Sequence, residues 1–117
     1  MIKVKFRNHG EIRMGSPFNL YSIKLEGEWV PDLPKHDWQN IHARSPDGRY
    51  LVLTSWDTTG NMPGFYFVLI DMLKKSYLRT DVFRGCCTKL EWMEDGVFWE
   101  AWSIEGDRSG KLPLPTT

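Results

Sequence analysis

Catalysis in a chain of this kind would have to come from its histidines, cysteines and carboxylates, and they are scattered. His9, His36 and His42 stand far apart, and none forms a metal-binding pair of the kind seen on one helix face. His36, in "PKHDW", is the natural candidate for a base near neutral pH, with Asp37 beside it. Side chains at adjacent positions diverge, so a solvated loop histidine is the plainer reading. Asp57, Glu91, Glu94 and Asp95 could in principle supply the two carboxylates of a glycosidase-type site. Acids at strand ends are also ordinary solubilising turn residues, and that is how they read here. Cys86 and Cys87 are the only cysteines and are neighbours. On a strand they point to opposite faces, which disfavours a bond between them, and two thiols make no zinc site. They read as one buried small hydrophobe and one partly exposed thiol. No nucleophile elbow and no phosphate-cradling glycine loop occurs. The chain is therefore expected not to be an enzyme and to need no metal or cofactor.

Binding chemistry is better represented. The chain has six tryptophans: Trp29, Trp38, Trp56, Trp92, Trp99 and Trp102. Trp56, Trp92 and Trp99 sit at inward strand positions and read as core. Trp29 and Trp38 bracket "EWVPDLPKHDW", a segment stiffened by prolines and without periodicity. Exposed, the two rings would form an apolar patch rimmed by Asp32, Lys35, His36 and Asp37, as at a protein hot spot or a sugar-stacking platform. Folded back, they would cover the end of a sheet. The turn cluster from Asp57 to Gly64 could lie beside this loop and add Asp57 and Asn61. The candidate binding residues are thus Trp29, Trp38, His36, Asp37, Asp57 and Asn61.

The elements that would position these residues are strands. Period-two alternation dominates, and no segment keeps a helical period for three turns. "IKVKF" sets Ile2, Val4 and Phe6 on one face; a His9-Gly10 turn leads to Ile12 and Met14. "NLYSIKLEG" alternates through Tyr21, Ile23 and Leu25, and Glu28 to Asp37 is a loop. "WQNIHAR" is a short strand ending at the Ser45-Pro46-Asp47-Gly48 turn. After it, "RYLVLTSW" places Tyr50, Val52, Thr54 and Trp56 on one face, with Leu51, Leu53 and Ser55 on the other. "FYFVLI" is again apolar on both faces. "SYLRTDVF" reads with Leu78, Thr80 and Val82 inward. "TKLEWM" turns at Glu94-Asp95-Gly96 into "VFWEAW". About nine short strands at regular spacing define an all-β antiparallel meander. Two strands apolar on both faces need cover on both. Val52, Leu53, Phe67, Val68, Leu69 and Trp92 are the expected core.

Charge and length set the remaining bounds. Fifteen basic and fifteen acidic residues cancel, which leaves no long-range field to draw in nucleic acid or an anionic membrane. The amino terminus lacks the apolar core of a signal peptide, and the longest apolar run is too short to span a bilayer. A cytoplasmic protein is expected, organised as one domain over residues 1–103 with a loose polar tail over 104–117.

Ile41 to Arg79 resembles one blade of a TolB-type β-propeller. Ser45-Pro46-Asp47-Gly48 matches the turn between neighbouring blades, "RYLVLTSW" the inner strand, and "YFVLIDMLKKSYLR" the hairpin that follows, with Asp71 opening its turn. A looser copy begins at "LEWMEDGVFWEAW", at an offset near that of propeller repeats. A closed propeller needs at least four blades, and this chain holds about two. Copies would assemble around an axis, or two blade-like sheets would pack as a small sandwich; the sandwich is the expectation, and oligomerisation stays open. The resemblance implies a fold and carries almost nothing about function.

The functional expectation is a non-enzymatic β-domain that binds a protein partner through its aromatic loop. A carbohydrate- or small-ligand-binding module is the alternative, and a small hydrolase with dispersed carboxylates ranks below both.

Overall fold

The computed structural model describes residues 2–11, 19–33, 37–57, 64–103 and 105–113. Among them are ten strands and no helix: β1 (Lys3–Glu11), β2 (Asn19–Glu26), β3 (Trp38–Arg44), β4 (Tyr50–Asp57), β5 (Gly64–Asp71), β6 (Ser76–Arg79), β7 (Phe83–Arg84), β8 (Cys86–Met93), β9 (Gly96–Trp102) and β10 (Arg108–Pro113). They form two antiparallel sheets. The larger runs β1-β2-β3-β4-β5-β6, with β7 also against β5; the smaller runs β10-β9-β8.

The centre of the molecule is the β4–β5 hairpin, paired without interruption from Tyr50↔Asp71 to Asp57↔Gly64. Its two apolar faces are both covered, as the sequence demands. On one face Tyr50, Val52, Phe65, Phe67 and Leu69 meet Cys87, Val97, Trp99 and Ala101 of the small sheet. On the other, Leu51, Leu53, Tyr66, Val68 and Ile70 meet Ile2 and Trp38, with Val4, Ile23, Leu25, Trp29 and Leu33 packed alongside. That second cover comes from the β1–β2 hairpin and the loop after it. The hairpin is held to β3 by the single register pair Tyr21↔Trp38, a narrow joint that lets it fold across β4–β5. The result is a layered β-sandwich with β4–β5 in the middle.

Local chemistry sets the turns. Ser45 accepts Gly48 N–H through its carbonyl at 2.9 Å. Its hydroxyl donates to Asp47 Oδ1 at 2.6 Å and accepts Tyr50 N–H at 2.9 Å. Gly48 takes φ = 77°, a conformation other residues rarely adopt. Asp71 opens its turn as the sequence suggests: Oδ1 accepts Leu73 N–H at 3.0 Å and Lys74 N–H at 3.2 Å. Both its oxygens also meet the Arg49 guanidinium at 3.1 Å.

Four expectations are corrected. No turn interrupts β1 at His9-Gly10; the strand continues to Glu11 with a register shift between Asn8 and Gly10, while Ile12 and Met14 lie outside the described residues. Leu78 and Val82 do not point into the core but are 44% and 45% exposed. They lie along the edge of the large sheet. Thr80 there takes Phe67 N–H on its side-chain oxygen rather than continuing the alternation. Trp92 is half-buried rather than inaccessible, stacked on Tyr50 at 6.1 Å between ring centres. The other five expected core residues are buried.

The fourth correction concerns the expected tail over 104–117, of which residues 104 and 114–117 lie outside the described residues: Arg108 to Pro113 are not loose but pair with Ala101 to Gly96 as β10. Its glycine misled. A Cβ at Gly110 would lie 2.7–2.9 Å from the Trp99 indole, so the residue is glycine because a buried ring lies against the strand.

Candidate functional site

The candidate loop lies at one end of the large sheet. The Asp37 carbonyl accepts Trp56 N–H at 2.9 Å and the Ser55 hydroxyl at 3.3 Å. Asp37 and Asp57 therefore do come to the same end of the fold. His36 and Asn61 lie outside the described residues. Trp38 is 3% exposed and belongs to the core beneath the β1–β2 hairpin, so its ring is no surface anchor. Trp29 is half-buried against the same cluster. Of the two arrangements open to these rings, the fold-back one is realised.

Among the described residues, Glu91, Asp95 and His42 lie in separate contacts. Glu91 pairs with Lys89 at 3.5 Å, and Asp95 pairs with Lys111; both pairs are solvent-exposed. His42 sits 5.3 Å from the Phe6 ring, and burial together with nearby Arg44 holds its pKa below the ordinary histidine value. No group of three or more histidine, cysteine or acidic residues among those described could hold a metal ion. Neither cysteine is the partly exposed thiol expected from the sequence: Cys86 and Cys87 are both buried and free. Burial pushes their thiols up to about 11 and about 12, so both stay protonated and unreactive near neutral pH.

The surface carries two other features. The first is the β6 edge. Ser76 to Arg79 pair with β5 on one side only, and no described strand pairs with the other. Along this edge and its turns, Leu73 is 72% exposed, Tyr77 42%, Leu78 44% and Val82 45%. Lys74, Lys75, Arg79 and Arg84 flank them, and Asp81 is the one acid in the sequence between residues 72 and 84. Arg79 lies over the Tyr66 ring at 4.1 Å, and Arg84 is 3.8 Å from Glu105. The Tyr77 hydroxyl donates to the Asp32 carbonyl at 3.3 Å, which ties the aromatic loop to this edge. Val30, in the same loop, is also exposed.

The second is a groove of about 450 Å³ on the small sheet, lined by Thr88, Glu100, Ala101, Trp102, Asp107, Arg108 and Ser109. Neither surface was found by sequence reasoning. Strand alternation says which side chains share a face, but not whether another layer reaches that face. The cluster of bases around "SYLR" was the available signal for an edge.

Comparison with known proteins gives no guide: no protein-family model matches the chain, and neither does any curated protein or solved structure.

Proposed function

We propose that this chain is a non-enzymatic β-domain that works in the cytoplasm by binding a protein partner. The contact surface is the β6 edge together with the adjoining residues 28–33. The observation that carries this reading is the set of exposed apolar side chains on β6 and its flanking segments, Leu73, Tyr77, Leu78 and Val82, where no described strand pairs with the outer side of β6. Such an edge offers a row of main-chain donors and acceptors that a partner strand would complete, and apolar side chains there mark an interaction site. Trp29 and Trp38 support the loop from beneath. The Asp37 carbonyl, bonded by Trp56 N–H and the Ser55 hydroxyl, fixes its base, and Val30 and Tyr77 present the contact face. The overall neutral charge favours neither nucleic acid nor an anionic membrane as partner. We read β3–β6 as the blade-like unit, an antiparallel meander adapted here to expose one edge.

The test places a photo-crosslinking amino acid at position 78 in one variant and at Lys5, on the far edge, in another. In extracts of the native host, position 78 should yield one dominant protein adduct that position 5 does not. Leu78→Ala should weaken that complex by about 1 kcal/mol or more without changing the melting temperature. Equal adduct patterns from both positions would refute the proposal, and an adduct to the chain itself would reassign the edge to self-association.

A further inference from the structure

We infer that the groove on the small sheet is a binding site for a neutral sugar, a short glycan whose pyranose ring stacks on Trp102. This site is separate from the protein-binding edge and does not depend on it.

The argument begins with the six tryptophans. Trp38, Trp56 and Trp99 are buried, and Trp29 and Trp92 are half-buried; Trp102 is the exception at 48% exposure. Alternation along β9 explains its position. Val97, Trp99 and Ala101 face the core, so Phe98, Glu100 and Trp102 face outward. The ring is therefore displayed by the strand's own register at its last residue. A large apolar surface left facing water beside a concave, polar wall is the arrangement of a ligand site.

The polar groups around the ring decide the ligand class. The register places Ser109 opposite Glu100, and the register shift between Cys87 and Lys89 brings Thr88 into the same row. The Thr88 hydroxyl donates to the Glu100 carbonyl at 3.2 Å, which fixes its direction and leaves its oxygen free to accept. Arg108 is oriented by Glu105 at 3.2 Å, and Glu105 is also 3.8 Å from Arg84. One guanidinium nitrogen is so occupied, and the remaining N–H groups stay available. The groove thus offers two carboxylates as acceptors, a guanidinium as donor, and two hydroxyls.

An anion such as phosphate is disfavoured by Glu100 and Asp107. A cation that could use the indole face and the acids meets the Arg108 charge. A neutral polyol has no such conflict: each hydroxyl both donates and accepts, and the C–H face of a pyranose is the apolar partner that an indole stacks against. The groove is open rather than enclosed, which suits a unit within a chain whose neighbours continue into solvent.

The experiment is a titration of the 15N-labelled protein with maltohexaose, cellohexaose, laminarihexaose, xylohexaose and chitohexaose, followed at the indole N–H signals. Trp102→Phe assigns the signal by its disappearance. The expected result is a saturable shift of the Trp102 signal with at least one of these glycans, the buried indoles staying in place. Trp102→Ala should then lower affinity about tenfold or more, and Ser109→Ala severalfold, both with unchanged melting temperature. Leu78→Arg on the β6 edge should leave the glycan titration as it is. If none of the five glycans moves the Trp102 signal, the inference is overturned. It is equally overturned if tetramethylammonium moves that signal and the glycans do not, because the groove would then be a cation site.

Discussion

Gln39 joins the two sheets through a single amide, and removing it should cost more stability than any other polar change on β3. The residue is 4% exposed. Its Nε2 donates to the Cys87 carbonyl at 2.8 Å, and its Oε1 accepts Cys87 N–H at 3.1 Å. The side chain thus completes the outer edge of β8 at Cys87 as a one-residue strand would. Gln39→Leu keeps the approximate volume but strands a buried donor and a buried acceptor. Each unsatisfied group costs about 1–3 kcal/mol, partly offset by burying the apolar leucine side chain, so the expected loss is about 2–4 kcal/mol. Against a total stability of about 5–15 kcal/mol this is a large fraction, equivalent to a fall in Tm of roughly 10–20 °C. Chemical denaturation with an unchanged m-value is the assay.

A second variant makes the reasoning specific to hydrogen bonding. Gln39→Glu places a carboxyl in the same position. Protonated, it donates to the Cys87 carbonyl and accepts Cys87 N–H, reproducing both bonds. Ionised, it accepts only and faces the carbonyl oxygen while buried, so its folded pKa should rise above the ordinary value of about 4.3. A raised folded pKa contributes stability that is present below the unfolded value and lost as pH rises through the folded one. The variant should therefore approach wild-type stability near about pH 4 and fall well below it by about pH 8. A loss under about 1 kcal/mol for Gln39→Leu, or a penalty for Gln39→Glu that ignores pH, would refute the account.

Three further outcomes are expected. Gly110→Ala should destabilise by about 1–3 kcal/mol through overpacking against Trp99, measured by denaturation; a neutral result would mean that β10 is not held against the ring. Asp71→Asn should cost about 1–3 kcal/mol at neutral pH, because the carboxylate accepts from Arg49, Lys74 and Leu73. Arg49 and those turn amides hold its pKa below the usual carboxylate value. The stability it provides is present above the unfolded value of about 3.9 and lost as pH falls through the folded one, so the wild-type advantage should vanish in acid. Cys86 and Cys87 should resist a thiol-specific disulfide reagent at about pH 8 until the protein is unfolded. Burial raises both thiol pKa values. The stability they provide is therefore present below the unfolded value of about 8.5 and lost as alkali takes the pH through the folded ones.

What the sequence made legible is the middle of the molecule. Leu51 and Val52, or Val68 and Leu69, are apolar neighbours on a strand, and period-two geometry sends such neighbours to opposite faces. Both faces had to be buried, and both are. The Ser45-Pro46-Asp47-Gly48 and Asp71 turns were legible for the same kind of reason, because their side chains bond to their own backbone. Less legible was everything decided by distance in three dimensions. Leu78 and Leu69 face each other across one sheet, yet only Leu69 has a layer above it. Gly110 gives no local sign of its place in a strand, because the ring that excludes a Cβ is eleven positions away in sequence. Gln39 is forty-eight residues from its partner Cys87, and no local pattern announces that pairing.

The separation between buried layers and displayed surfaces has a consequence for function. Trp38 and Trp29 attract notice in the sequence because tryptophan is rare and large, but size makes a residue valuable to a core as readily as to an interface. In a domain whose central hairpin must be covered twice, the residues packed around it have to supply large apolar side chains, and Trp38 and Trp99 meet that need. The informative aromatics are those that the core does not use: Tyr77 at the β6 edge and Trp102 on the outer face of β9. Both are about half exposed, at 42% and 48%, so truncating either ring removes less buried surface than truncating a core tryptophan. Substitutions there should separate binding from folding, whereas Trp38→Ala removes a ring from the layer that covers β4–β5 and should cost roughly 3–5 kcal/mol of stability.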